Sequence, residues 1–338
     1  MRRRHAAAAA LVCCVPARAA PHGPGKPYGR RADVMAAARS IADELSLEAS
    51  WVATTLGRAR SVPSVAQLIM PPASPRARNW NAYRTRFVDS RRIEAGARWW
   101  RDNVSWLDQA AQRFGVPPDI VVGIVGVETH YGRHTGTFRV LDALATLSFD
   151  FPSGRSNRSA FFRAELAQFL RLVSREGWDA TAVTGSYAGA MGMPQFMPSS
   201  VLNYAIDFDD DGRVDLNGSH ADVIGSVARF LAEHGWRRGM PTHYRVEPPG
   251  DIVDRALLLV PDIVPSFSPA QMAQRGARLD DEALQHEGSL ALVELLNGEA
   301  PPSYVAGTQN FYALTRYNAS SYYALAVIEL ARAVSAVD

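Results

Sequence analysis

Between Gly115-Val-Pro-Pro-Asp119 and Gly132 lies Ile120 to Val127, a run that is apolar on every side. A helix with no polar face belongs inside a core, so the rest of the chain has to be built around it. Proline is acceptable in a first helical turn, and Asp119 stands near the positive end of the dipole, which marks the start of the helix. Ile120, Ile124 and Glu128 are spaced by four and share one stripe. The carboxyl group of Glu128 therefore joins buried aliphatics, where loss of solvent disfavours the charged form and raises the pKa, as a general acid near neutrality requires. Gly132 is expected to end the helix and leave the carboxyl group at a core terminus. Spacing alone equally admits an ion pair of Glu128 with Arg133 or Arg139, and such pairs are the commoner case.

Around this helix the chain reads as mainly α with a minor β part, an α+β fold class. Its 338 residues, 47% of them apolar, can bury at least one full core. Val34, Ala38, Ile41 and Leu45 recur at helical spacing, Ser46 begins a second unit through Trp51, Val52 and Leu56, and a helical pattern continues to Trp106. Met70 to Arg76, with Pro71, Pro72 and Pro75, is expected to be a linker or extended crossing. Further helices are expected at Phe161 to Arg175, Pro198 to Ala205 and Asp222 to His234. After Trp236 the texture becomes Pro-rich and β-branched, and strands are expected at Tyr244 to Val246, Leu257 to Val264, Leu290 to Leu296 and Val305 to Tyr312, with Pro248-Pro-Gly250 and Pro301-Pro302 as separators. A closing helix over Ser321 to Val334 carries Ala324, Ile328 and Ala331 on one face. The expected organisation is an α lead-in at 33–78, a core at 79–236, a small β domain at 237–316 and a returning segment at 317–338.

Lys+Arg 36 against Asp+Glu 34 gives a formal +2, so no global field draws the chain to nucleic acid or an anionic bilayer. The first residues say more. Met1-Arg-Arg-Arg4, the apolar run Ala6 to Val15 and Ala17-Arg-Ala19 have the parts of an export signal ending at residue 19, with the periplasm as the expected destination. Both cysteines, Cys13 and Cys14, fall inside it, so the mature chain would have no disulfide and no thiolate metal site. A lipid anchor on Cys13 or Cys14 is the lesser alternative. No later stretch reaches the length of a transmembrane span.

Asp207-Phe-Asp-Asp-Asp-Gly-Arg-Val-Asp215 puts carboxylates at loop positions one, three, five and nine and glycine at six, the front half of an EF-hand loop. Hard oxygen ligands crowded in this way repel one another unless a cation, here Ca2+, sits among them. The twelfth position is Gly218 where the standard loop has Glu. A solvated acidic turn is the alternative.

Several separate blocks set these features in a wider pattern: Asn79-Trp-Asn-Ala-Tyr-Arg84, Gly123 to Gly132, Leu141 to Phe149, Gly185-Ser-Tyr-Ala-Gly-Ala-Met-Gly192, Gln195-Phe-Met-Pro-Ser-Ser200, and Tyr317-Asn318 with Tyr323. In this order they resemble the membrane-bound lytic murein transglycosylase B family of peptidoglycan-cleaving enzymes, across roughly residues 34–335. The resemblance implies a lysozyme-like core, one catalytic Glu at Glu128, and a glycan groove lined by Ser186, Met191, Gln195, Phe196, Tyr317, Asn318 and Tyr323. It implies a carboxylate after the acidic loop that closes a calcium site, for which Asp222 is the candidate beside Asp207, Asp209 and Asp211, with the Arg213 carbonyl. The family has a Pro-Arg-Arg stretch where this chain has Phe151-Pro-Ser-Gly-Arg-Ser-Asn-Arg158. Arg158 keeps one basic position for substrate, and Arg155 and Asn157 stand as alternatives for the other.

The activity so implied is that of a carbon-oxygen lyase: cleavage of the bond between N-acetylmuramic acid and N-acetylglucosamine, with closure of a 1,6-anhydro ring and no cofactor in the chemistry. Its expected setting is cell-wall remodelling, as a monomer on peptidoglycan strands, with a place in a synthesis or division complex. A hydrolytic muramidase could draw its second carboxylate from Asp142, Asp150 or Glu165. A non-catalytic peptidoglycan-binding protein would keep the fold alone. A zinc peptidase on His130 and His134 has its Glu before the pair when it should follow the first His, and no G-x-S-x-G elbow supports a serine hydrolase.

Overall fold

The computed structural model describes residues 25–70, 78–154 and 156–337. The export signal with Cys13 and Cys14, the proline-bearing stretch at 71–77 and Arg155 lie outside the described residues. Sixteen α-helices and six short strands are found among the described residues. The strands are β1 (Phe138–Arg139), β2 (Thr184–Gly185), β3 (His243–Glu247), β4 (Arg278–Leu279), β5 (Ala291–Asn297) and β6 (Ala300–Gly307). The chain divides into two compact units, residues 78–131 with 224–337, and residues 25–70 with 132–223.

In the first unit the apolar run forms the helix Pro118–Thr129, every residue of which from Ile120 onward is buried. Gly115, in the left-handed conformation that ends the preceding helix Val104–Phe114, and proline at the first helical positions fix its start. The closing helix Ser321–Ser335 packs along it. Gly123 makes that contact close, since a Cβ there would meet the Val327 carbonyl oxygen at 2.7 Å. The helix ends at Thr129, before the expected Gly132. His130 and Tyr131, both at positive φ (52° and 58°), return their N–H groups to Gly126 and Val125. This is a left-handed (αL) cap built without glycine.

The same unit carries a four-stranded antiparallel sheet in the order β4-β3-β6-β5, over a small core of Leu258, Met272, Leu290, Leu292 and Ala306. Two of the four expected strands, those at Tyr244 and Leu290, are β3 and β5. The strand expected over Leu257–Val264 is instead the end of a helix, Ile252–Leu259, and a turn, because Asp251 accepts the N–H groups of Val253 and Asp254 as an N-cap. Its β-branched residues follow the cap, whatever their strand preference. The strand expected to reach Tyr312 stops at Gly307, where Thr308 accepts the N–H of Asn310 and starts the helix Gln309–Tyr317. Pro301 and Pro302, expected as a separator, lie within β6, where the β5–β6 register shifts between Leu295 and Asn297.

The second unit contains the lead-in helix Ala32–Leu45, with Val34, Ala38 and Ile41 buried. Ser46 caps it in the left-handed conformation, so the next helix, Ala49–Gly57, begins after Glu48, whose carboxylate takes the N–H groups of Ser50 and Trp51. Helices Val140–Phe149 and Ser159–Glu176 pack together at its centre.

Candidate active site

Glu128 is the eleventh residue of the twelve-residue helix Pro118–Thr129 and is only 5% exposed. Its Oε1 accepts a hydrogen bond of 2.7 Å from the Tyr323 hydroxyl. Burial pushes its pKa from the ordinary 4.5 up to about 8, and the Tyr323 hydrogen bond, which favours the carboxylate, pulls the other way. The group is thus held as an acid at neutral pH, next to a donor suited to its conjugate base. Tyr323 lies in the first turn of the closing helix, behind the Ser320 cap, and its ring stacks on Tyr317 with centroids 6.3 Å apart. Burial raises both phenols well above their usual pKa, with the charge of Glu128 adding to the shift. Tyr317 also meets the Phe230 ring at 4.8 Å. Asn318 follows in extended conformation, buried, with its Oδ1 lacking a hydrogen-bond partner. Glu128, Tyr317, Asn318 and Tyr323 therefore belong to the first unit.

Ser186, Met191, Gln195, Phe196 and Arg158 belong to the second unit. Met191 and Phe196 exchange both main-chain hydrogen bonds, at 2.9 and 3.1 Å, and so pinch off a tight hairpin. Gln195 sits in it at φ 51°, a conformation that costs a side-chain-bearing residue about 1 kcal/mol or more. Its Nε2 donates to the carbonyls of Gly192 (2.9 Å) and Thr135 (3.0 Å), which leaves Oε1 buried with no partner. The strained backbone and the amide fixed at one end hold an acceptor in a single direction. Ser186 Oγ accepts from the Ala190 N–H, and the side chains of Phe196 and Met191 are interior. Arg158 stands just before the helix Ser159–Glu176, its guanidinium over Phe161 (4.7 Å) and Phe162 (5.5 Å). Asn157 accepts the Ser159 N–H, a helix-end role.

The acidic loop is in the second unit too. Carboxylate oxygens of Asp207, Asp209 and Asp211 lie within 4.8 Å of one another. Asp207 also accepts the N–H groups of Asp211 and Gly212, Asp209 Oδ2 accepts from Ser219 at 2.8 Å, and Asp209 Oδ1 is buried without a partner. An orphaned carboxylate oxygen facing two other carboxylates fits a hard cation. Asp222, fully buried, spends both oxygens on main-chain N–H groups, Oδ1 on Phe208 and Oδ2 on Asp215, and so ties the two ends of the loop together. Its pKa is raised, chiefly by burial and further by Asp209 and Asp207. Arg213 donates its N–H and Nε to Asp211. The loop is joined to the Gln195 hairpin, since the Leu216 carbonyl accepts the Met193 N–H at 2.8 Å.

The carboxylates that a two-carboxylate hydrolase could draw on have other partners. Asp142 accepts the Arg60 N–H and pairs with Arg139, Asp150 accepts from Tyr28 and Arg31, and Glu165 takes the Ser199 N–H and hydroxyl. Arg139, the ion-pair alternative for Glu128, is thus engaged with Asp142, and Arg133 is exposed. Among the described residues no potential metal cluster includes His130 or His134.

The chain is 38% identical to the membrane-bound lytic murein transglycosylase B of Escherichia coli (strain K12) over 270 residues, 79% of this chain and 70% of that protein. The Escherichia coli lytic transglycosylase Slt35, solved in complex with bulgecin A, aligns with a TM-score of 0.81 at 34% identity, covering 93% of this chain and 96% of that one. Slt35 has also been solved in complex with calcium. Soluble lytic transglycosylase SltB1 from Pseudomonas aeruginosa aligns with a TM-score of 0.81 at 36% identity, covering 90% of this chain and 99% of that one. The expected fold class holds, mainly helical and lysozyme-like with small antiparallel sheets. The transglycosylase SLT domain matches residues 30–332, and the chain belongs to that family.

Proposed function

We propose that this protein is a lytic transglycosylase of peptidoglycan in which Glu128 is the single acid and base. The observation that carries this reading is a carboxyl group 5% exposed, with its pKa pushed up to about 8, in a member of a transglycosylase family. Glu128 protonates the oxygen that links N-acetylmuramic acid to N-acetylglucosamine, and the glycosidic bond breaks through an oxocarbenium-like transition state. The neighbouring N-acetyl group of the substrate takes the stabilising place of a second carboxylate. Glu128, now a carboxylate and steadied by the Tyr323 hydroxyl, removes the proton from the muramic C6 hydroxyl, whose oxygen closes the 1,6-anhydro ring. The proton given in the first step is recovered in the second, and no water is consumed.

Gln195 Oε1 and, separately, Asn318 Oδ1 are suited to sugar hydroxyl and acetamido N–H groups, because a buried acceptor left unpaired without ligand gains most when ligand arrives. Ser186 and Tyr317 are further glycan contacts, Met191 and Phe196 serve the groove by closing the hairpin that carries Gln195, and Arg158 is the cation for peptide carboxylates or acyl oxygens. Asp207, Asp209 and Asp211, with the Arg213 carbonyl, would hold a calcium ion that would neutralise the loop, and Asp222 would close the loop by tying its two ends together. The protein works on cell-wall strands in the periplasm after export on its amino-terminal signal. No helix among the described residues is long and apolar enough to cross a membrane.

Digestion of purified sacculi followed by mass spectrometry tests the reading. The wild type is expected to release anhydromuramoyl ends and Glu128→Gln to release none; a Glu128→Gln protein as active as its parent overturns it.

A further inference from the structure

The Asn79–Arg84 block takes no part in the chemistry above, yet its rings close on the residue beside Tyr323. Tyr322 is the second residue of the closing helix. Its hydroxyl accepts the Leu296 N–H at 2.8 Å and donates to the carbonyl of the same residue at 3.1 Å. Leu296 is where the edge strand β5 loses register with β6: Leu295 faces Ser303, Asn297 faces Ala300, and Pro301 and Pro302 share the position opposite Leu296. A proline has no N–H to offer the ladder, so the Leu296 carbonyl needs a donor from elsewhere. The Tyr322 hydroxyl supplies that donor and takes the Leu296 N–H as well.

The ring of Tyr322 is held edge-on by Trp80 (6.1 Å, 76°) and Tyr83 (5.8 Å, 83°), both from the helix Trp80–Arg84. That helix is fastened to the same stretch of sheet, since Asn79 bridges to Asn297 and the Gly298 N–H donates to the Arg78 carbonyl at 3.0 Å. About two turns further along the closing helix, Arg84 pairs with Glu329 at 3.1 Å. The first turn of the closing helix is therefore fixed at adjacent residues, Tyr322 on the sheet and Tyr323 on Glu128. Neighbours in a helix move as one body, so a turn that slips at Tyr322 carries the Tyr323 hydroxyl with it. Register shifts of this kind recur beside active sites, where they re-aim a side chain.

We propose that Tyr322 is a positioning residue for the reaction: by seating the first turn of the closing helix on the β5–β6 register shift, it aims the Tyr323 hydroxyl at Glu128. The inference rests on Glu128 being the acid and base.

The test is the pH profile of glycan release by the full chain for the wild type, Tyr322→Phe, Tyr323→Phe and the double variant, with melting temperatures alongside. Tyr322→Phe keeps the ring in its aromatic clamp and loses both hydrogen bonds. The hydrogen bond from Tyr323 favours the carboxylate, so its loss raises the pKa of Glu128 and moves the alkaline limb upward in Tyr323→Phe. Tyr322→Phe is expected to move the limb the same way by a smaller amount, to lower kcat about threefold and to leave KM within about twofold. The double variant is expected to coincide with Tyr323→Phe, since the two changes act through one bond. An alkaline limb unmoved by Tyr322→Phe while Tyr323→Phe moves it overturns the inference, whatever happens to the melting temperature. So does a Tyr322→Phe shift of equal size in the Tyr323→Phe background. If Glu128→Gln keeps full activity, the acid-base reading itself has failed, and this inference fails with it.

Discussion

The helix that carries Glu128 and the loop that carries Asp207, Asp209 and Asp211 use the same functional group in opposite surroundings. On the helix one carboxyl group is buried beside a phenol donor, and its pKa is pushed up to about 8. On the loop three carboxylates crowd within 4.8 Å at the surface, tied by main-chain N–H groups and a serine hydroxyl, with one oxygen left over. Burial with few hydrogen-bond donors raises the pKa of a carboxyl group, whereas crowding of carboxylates favours a cation. Asp222 lies between these cases: it is as buried as Glu128, but two N–H groups satisfy it, and its work is structural.

The largest expected effect separates the two regions. Glu128→Gln should lower glycan release by about a thousandfold or more, read from soluble muropeptides, while calcium affinity measured by titration stays unchanged. The same variant should be more stable than the wild type, with a pH signature. Because the folded protein holds the Glu128 proton to about pH 8 and the unfolded chain only to about 4.5, the folded state binds the extra proton in that window, and wild-type stability falls as pH rises through it. Denaturant unfolding should show a gap between variant and wild type that opens from about pH 4.5 and reaches a few kcal/mol by pH 8. A gap independent of pH would place the proton elsewhere.

The loop should respond in the contrary way. Chelation of a calcium-loaded sample should lower the melting temperature by about 5 °C without moving the alkaline limb of activity. Gly192→Ala should cost about 2 kcal/mol in unfolding experiments, since φ is +69° there and a Cβ would meet the Leu216 carbonyl oxygen at 2.7 Å, at the junction between the loop and the Gln195 hairpin. The smallest change is expected for Gln195→Ala, a rise in KM of roughly tenfold with kcat reduced less, as the loss of one oriented acceptor predicts.

Local chemistry makes both regions legible in the sequence. An all-apolar run with a carboxyl group on its stripe predicts burial, and carboxylates at alternate loop positions around a glycine predict a cation site. Long-range pairing leaves no such trace. The Tyr323 hydroxyl meets Glu128 across 195 residues of sequence, and nothing in the spacing of either residue announces it. The cap made by His130 and Tyr131 is hidden because glycine is the usual residue at positive φ, which makes Gly132 the natural terminator. Leu257 to Val264 has strand-like composition, but Asp251 just upstream outweighs it as a helix cap. The pair Pro301-Pro302 reads as a break between strands, and in the fold it is a register shift whose unpaired neighbour is met by Tyr322. In each case the deciding partner is distant in sequence or acts through the main chain.

The central claim, that one carboxyl group does the work of two and water takes no part, is tested most directly by digesting sacculi with the wild-type protein in water enriched in heavy oxygen. The account predicts muramic ends lighter by one water than reducing ends, with no heavy oxygen in the newly formed termini. Reducing ends carrying heavy oxygen at the muramic C1 would show hydrolysis, and would contradict it.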